Sequence, residues 1–394
     1  MKNQLSIIHF SVICALAPVL ALVSGCGNSE KAAEKGEAAL REGKYAAAAK
    51  SLDVAARKTQ PTSHLYYNLG AAKALSGDSA GAIRAFENAS NMDLSNLDAV
   101  EFRAKVLADN GDFAAAHELL DRIIDEASDP ATRVRILNAL AVVEHSLHRD
   151  DLACVRLAQA IRMDSEYAPA YYNFAHFLEE AYQLHAPALA NIAKFCEKAK
   201  ADNPARGKAE EFKALVESAD KRSPQPPPHT STAEANKLIK QGADAYARSK
   251  WTLAEESFAK ALDADPESYE AASYLAATRY AARHYDAAAE AYAKAAEIAP
   301  AQFDPVFMQG HIAYSLGNAA RAIQILTTVA IPRWPDNPKS YEIAAYALAT
   351  ERRYYEARVY GMVYIDLSKA AGTNVSAFEK WFDSLPLIAF TADK

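Results

Sequence analysis

Cysteine is nearly absent, at four in 394 residues. That is too sparse for a disulfide framework, and there is no C-x-x-C pair for a zinc or redox site. Cys154 and Cys196 are the two that lie well inside the chain. They could pair in an oxidising compartment; the plainer expectation is two small residues in helix cores. No H-E-x-x-H is present, and no glycine loop of the kind that cradles phosphate. Basic blocks are missing too. Lys and Arg number 43 against 50 Asp and Glu, a formal charge of −7. That balance argues against nucleic acid or an anionic membrane surface as an electrostatic partner. Few β-branched runs occur, so the pattern of a sheet is lacking.

Two short motifs invite a chemical reading and do not sustain it. Gly77-Asp78-Ser79-Ala80-Gly81 matches the G-x-S-x-G nucleophile elbow, which requires a strained turn from strand to helix. Here no strand precedes it and no His or acid partner is evident. His145 and His148 stand three apart, as metal ligands on a helix can, but no further His or Cys completes a site. Two solvent-facing histidines are expected. The chain is therefore read as having no catalytic residues, no metal and no cofactor.

What is present begins with one long apolar run. Lys2 is followed by the largely apolar stretch Leu5 to Val23 and then by Ser24, Gly25 and Cys26. A positive start, an apolar stretch and small residues make a signal peptide. An uncleaved membrane span and an ordinary secretory signal are the alternatives, and His9, Pro18 and two serines weaken the first. Val23-Ser24-Gly25-Cys26 resembles the bacterial lipobox. The resemblance implies cleavage before Cys26, lipid on its sulfur and a membrane anchor in the cell envelope. Gly27 after the cysteine implies the outer membrane, with the protein facing the periplasm. Asn28 or Ser29 is expected to cap a first helix carrying Glu30 and Glu34 in its early turns.

The rest of the chain repeats. Gly43, Gly77 and Gly111 are 34 apart, as are Ala48, Ala82 and Ala116, and Leu52, Phe86 and Leu120. A second series holds Ala254, Ala288 and Ala322 with Phe258, Tyr292 and Leu326. The apolar residues at i, i+4 and i+7 mark one helix face, glycine suits a tight turn between helices, and Asp265-Pro266 and Ala299-Pro300 end helices. A hairpin of this kind cannot bury its apolar face alone, so copies must stack. "LYYNLGAAKALSGDSAGAIRAFENA" and "YLAATRYAARHYDAAAEAYAKAAEIAP" are the clearest copies. The unit resembles the tetratricopeptide repeat. That implies an all-α solenoid, with units expected to start near 29, 63, 97, 134 and 168, then near 235, 269, 303 and 338.

The Pro-rich "SPQPPPH" at 223–229 divides the pattern. The expected organisation is a signal peptide over 1–25, lipidated Cys26 and a tether over 26–29, and a first array over 30–219. A linker over 220–231, a second array over 232–370, and a capping helix and tail over 371–394 follow. Ser376 and Glu379 form a capping-box pattern. Phe378, Trp381 and Phe382 share one stripe there, expected to cover the last repeat or else to meet a partner.

The concave faces of repeat solenoids are binding surfaces. The family resemblance implies a scaffold or assembly factor holding a protein partner, as an extended peptide or helix in the groove. A carrier of a glycan or small ligand is the runner-up reading, and an enzyme with an unrecognised site the third. Tyr246, Tyr280 and Tyr314 are 34 apart, late in the first helices of successive units. By comparison with the family, that place faces the groove, and the rings are expected to form a ladder without touching. Phe307 and His311 share the face of Tyr314, and Tyr346 extends the stripe across a segment with one extra residue, which loosens its register. The competing reading is that these tyrosines pack between helices.

Overall fold

A computed structural model describes residues 28–58, 60–219 and 229–386, and no strand occurs among them. Cys26, the preceding signal and residues 220–228 of the expected linker lie outside the described residues. Among the described residues the chain divides into two compact units, 28–181 with 190–212, and 182–189 with 213–386.

The first unit stacks hairpins of α1 (Asn28–Arg41) with α2 (Tyr45–Lys58), α3 (Ser63–Leu75) with α4 (Ser79–Met92), and α5 (Leu97–Asp109) with α6 (Phe113–Ile123). It continues with α7 (Pro130–Ser146), α8 (Asp150–Met163) and α9 (Ala168–Tyr182), while α10 (His185–Lys198) and α11 (Ala205–Ala219) have residues in both units. The second holds α12 (Ala233–Ala247), α13 (Trp251–Ala264), α14 (Tyr269–Ala281), α15 (Tyr285–Ile298) and α16 (Phe303–Ser315). After α17 (Ala319–Ile325) come a π-turn (Leu326–Ala330) and α18 (Ile331–Arg333), then α19 (Pro338–Thr350), α20 (Tyr354–Ala370) and α21 (Ser376–Ser384). First helices begin at 28, 63, 97, 130, 168, 233, 269, 303 and 338, each within four residues of its expected start.

Each first helix packs on its own second helix, and that one on the next first helix, along α1 to α8 and along α12 to α17. Between the helices of a hairpin one residue takes a left-handed φ: Gly43, Gly77, Gly111 and Gly317, but also His148, Gln183, Ser249, Arg283 and Arg352. Glycine is thus preferred at this turn but not required. The apolar positions of the repeat are the core: Ala48, Leu52, Ala82, Phe86, Ala116, Leu120, Ala254, Phe258, Ala288 and Ala322 are all buried to 0% exposure.

Several local expectations need correction. The cap expected of Asn28 or Ser29 falls on side chains outside the described residues, and α1 is described from Asn28 onward. At α21 the N-cap is Val375, and the Ser376–Glu379 box does not form. Asn374 instead accepts the Ser376 N–H and hydroxyl through Oδ1, an Asx turn, and Glu379 pairs with Lys369 at 2.7 Å. Residues 229–231, assigned to the linker, are packed onto the second unit. His229 Nε2 lies 3.1 Å from Asp265 Oδ1, and the Ser231 and Ser268 hydroxyls are 2.8 Å apart. Thr232 then caps α12. Cys154 is buried in α8, and Cys196 in α10 lies 3.8 Å from Glu210; the two form no disulfide. Ser79 opens α4 behind the Asp78 cap, a turn between helices with none of the geometry of a nucleophile elbow.

Candidate functional site

The first-helix faces of the two units differ in chemistry. In the first unit, side chains that bridge one first helix to the next are polar and satisfy one another. Asn68 Nδ2 donates to Glu37 Oε1 at 3.2 Å, and Asn173 Nδ2 donates to Asn138 Oδ1 at 2.9 Å. Buried Glu101 pairs with Lys105 and with Arg135, which also holds Asp98. His145 is not solvent-facing as expected. Its Nε2 lies 3.3 Å from Glu180, its Nδ1 bonds Asp150, and its ring stacks on Phe177 at 4.1 Å. His148, in the left-handed turn, is the exposed one and does not share a face with it. Burial alone would depress the His145 pKa, but the bonds to Asp150 and Glu180 outweigh it and lift it to about 9. Glu180 is likewise pushed up by burial and brought down to about 2 by His145 and His176.

In the second unit the same face is aromatic. Tyr246, Tyr280 and Tyr314 fall in the last turns of α12, α14 and α16, each half-buried. Their rings do not touch one another among the described residues. His311 lies 6.2 Å from Tyr280 and 5.8 Å from Phe307, and Phe307 stacks on Phe303 at 5.2 Å. Burial holds the His311 imidazole below its ordinary pKa, so it is neutral near pH 7.

Tyr346 joins the row by contact rather than by register. α19 starts 35 residues after α16, one more than the 34 between α14 and α16, and the π-turn at Leu326–Ala330 takes up the extra residue. Tyr346 therefore occupies the place of His311, while Ala349 occupies that of Tyr314. From there its ring stacks on Tyr314 at 6.5 Å.

Two neighbours escaped the sequence reading. Trp251 meets Tyr246 edge-on at 5.1 Å, and Tyr285 meets Tyr280 edge-on at 5.4 Å. Each is an aromatic five residues after its tyrosine, a spacing visible in the sequence. Trp381 of α21 packs against Tyr346 at 4.3 Å. Tyr246 and Tyr280 also border the buried clusters around Phe258 and Tyr292. The rings are thus anchored at one edge and open at the other, between the groove and packing readings.

On another side of this unit, a cavity of ≈ 400 Å³ is lined by residues including Glu297, Gln309, Arg321 and Arg333. No group of three His, Cys, Asp or Glu suited to a metal occurs among the described residues, and none of their helices is long and apolar enough to cross a membrane.

The sequence profile of the tetratricopeptide repeat matches residues 33–90, 67–131 and 239–303. Those segments carry tetratricopeptide repeats. Solved structures with related folds include Pseudomonas aeruginosa pilF, at 14% identity over 62% of this chain and 94% of that one, TM-score 0.39. MamA from Desulfovibrio magneticus RS-1 is 18% identical over 45% of this chain and 99% of that one, TM-score 0.39. The protein TTC0263 of Thermus thermophilus is 17% identical over 48% of this chain and 99% of that one, TM-score 0.40. No curated protein matches the sequence. The repeats extend in the structure beyond the matched segments, through the α7–α8, α9–α10, α16–α17 and α19–α20 hairpins.

Proposed function

We propose that this is a non-catalytic scaffold, held to the bacterial cell envelope by lipid on Cys26, whose second array receives a protein partner. The half-buried aromatic row Tyr246, Tyr280, Phe307, His311, Tyr314 and Tyr346 carries the reading. Tyrosine has a broad apolar ring with a polar rim, suited to a surface wet when free and covered when bound, and such residues are enriched at binding hot spots. The first array's corresponding face is occupied by its own ion pairs, which leaves the second as the receptive one. Lipobox-like Val23-Ser24-Gly25-Cys26 supports the anchor, and Gly27 the outer membrane, facing the periplasm. An extended peptide or a helix suits the row as occupant. The ≈ 400 Å³ cavity is at the low end for small ligands, and a glycan or small-ligand carrier is therefore the second reading.

A photo-crosslinking amino acid at position 280, irradiated in intact cells, tests the groove. Crosslinks to a discrete protein, absent when the same group replaces exposed Leu94, are expected. A label pattern identical at both positions would refute it. For the anchor, Cys26→Ser should release the protein or block its processing, whereas a processed, serine-bearing form retained on the membrane would exclude lipidation.

A further inference from the structure

At the end of the aromatic row stands a carboxylate with no ion-pair partner among the described residues. Glu342 lies on α19 one turn before Tyr346, so the two share a face. It is half-buried, and its neighbour is the Tyr364 hydroxyl rather than a lysine or arginine. Burial raises its pKa and the Tyr364 hydrogen bond partly offsets that, which is the signature of a desolvated acid without a counter-ion.

Rings cluster about its two neighbours, Tyr346 and Tyr364. Tyr346 is 4.3 Å from Trp381 and 5.4 Å from Phe378, measured between centroids. Tyr364 is 4.4 Å from Phe378, and Tyr314 stacks on Tyr346 at 6.5 Å. Phe378 is buried and holds the group together, whereas Tyr314, Tyr346, Tyr364 and Trp381 each keep an exposed portion. The arrangement spans three elements, α19, α20 and α21, so it is set by the docking of the last helix and not by one helix's local sequence.

Ring faces attract cations through their quadrupole, with tryptophan strongest. An unbalanced carboxylate adds a full charge of the right sign. A purely apolar occupant would bury Glu342 further with nothing to compensate it, at a cost in affinity. We propose that Glu342, Tyr346, Tyr364 and Trp381 form a receptor for a lysine or arginine side chain of the protein segment that lies along the aromatic row. This rests on the groove reading above and specifies its partner: a segment with apolar residues followed by a basic one at the α21 end.

The test uses the full-length protein in detergent with Trp251→Phe and Trp334→Phe, so that Trp381 is its single tryptophan and can be excited selectively. Two probes are titrated, the acetylated and amidated peptides Gly-Leu-Lys-Leu-Gly and Gly-Leu-norleucine-Leu-Gly. The lysine peptide should change Trp381 fluorescence and bind at least about tenfold tighter than the norleucine peptide, a difference expected of a desolvated charge contact. Glu342→Gln should bring the two within about twofold while helical circular dichroism stays unchanged, and Trp381→Leu, followed by calorimetry, should weaken the lysine peptide alone. Equal affinities in the unsubstituted protein, no response to lysine, or a preference that survives Glu342→Gln would each overturn the assignment. Lysine selectivity without crosslinks from position 280 would keep this receptor and remove the groove reading; crosslinks without selectivity would do the reverse.

Discussion

Gly70 of α3 lies against the ring of Phe86 of α4, so closely that a Cβ at Gly70 would stand 2.8 Å from Phe86 Cδ1. The same relation, sixteen residues apart, joins Gly36 to Leu52, Gly242 to Phe258 and Gly310 to Leu326. Glycine is used here for closeness of helices, since these positions are helical and need no unusual φ.

Gly70→Ala should therefore destabilise the first array. Alanine gains up to ~1 kcal/mol of helix propensity, but overpacking a core costs about 1–3 kcal/mol, and a ring buried to 0% exposure has nowhere to swing. A net loss of about 1–2 kcal/mol is expected, read as a lower urea midpoint with unchanged slope. Phe86→Leu in the same chain should recover part of it, because Ala104 with Leu120 and Ala141 with Leu157 occupy these places in other units. Additive losses in the double variant would contradict this packing account.

The repeat was legible because the 34-residue spacing of its apolar positions recurs along the chain, with turn glycines and closing prolines in some units; the starts deviate by at most four residues. The polar interior of the first array was not. Glu101, His145 and Glu180 sit where a single amphipathic helix reads as solvent-facing, and only the approach of a neighbouring first helix buries and pairs them. The Ser376 capping box failed for a local reason, since Asn374 two residues earlier offers a better acceptor. The spacing of 34 in the tyrosines and the covering stripe of α21 were legible, whereas the contact of Trp381 with Tyr346 was not, because no periodicity links the two.

The His145 cluster gives the first array a pH signature. The groups facing His145 are Asp150 and Glu180, with His176 on the far side of Glu180 at 3.6 Å. His145 is raised to about 9, so its contribution is complete below its ordinary pKa near 6.5 and fades as pH climbs through 9. Glu180 is lowered to about 2, so its contribution is complete above 4.5 and fades as pH falls toward 2. Both are in force between about 4.5 and 6.5. Solvent reaches Glu180, so about 2 kcal/mol is expected rather than the full shift. His145→Gln should flatten the alkaline limb of a stability–pH curve. An unchanged slope between pH 7 and 9 would show that the pair is not formed in solution.

The final helix should act as the second array's cap. Phe378 and Phe382 are buried, and Gly361 of α20 lies so close to Phe382 that a Cβ would approach its ring to 2.8 Å. Phe382→Ala should cost ~3–5 kcal/mol, as truncation of a buried aromatic does. The loss should fall on amide exchange in α19 and α20, leaving α1 to α8 protected as before. Exchange that rises equally in both arrays would show that they unfold as one.

The aromatic row makes a prediction that separates binding from packing. Tyr280 is half-buried, with Tyr285 5.4 Å and His311 6.2 Å away between ring centroids. A ring wholly in the core would cost ~3–5 kcal/mol on truncation to alanine, whereas one only seated at the core's margin should cost about 1–2 kcal/mol, in proportion to the apolar area it hides. If the open edge is where the partner lies, Tyr280→Ala and Tyr314→Ala should each weaken capture by about 2 kcal/mol, near thirtyfold, while the array remains folded. Tyr280→Phe should keep stability and lose capture only to the extent that the hydroxyl is used. The control is Tyr274, exposed on the same helix and stacked on Phe258 at 5.2 Å. Its alanine variant should lose a comparable amount of stability and no capture. Equal losses of capture at 274 and 280 would mean that capture follows folding and not the row.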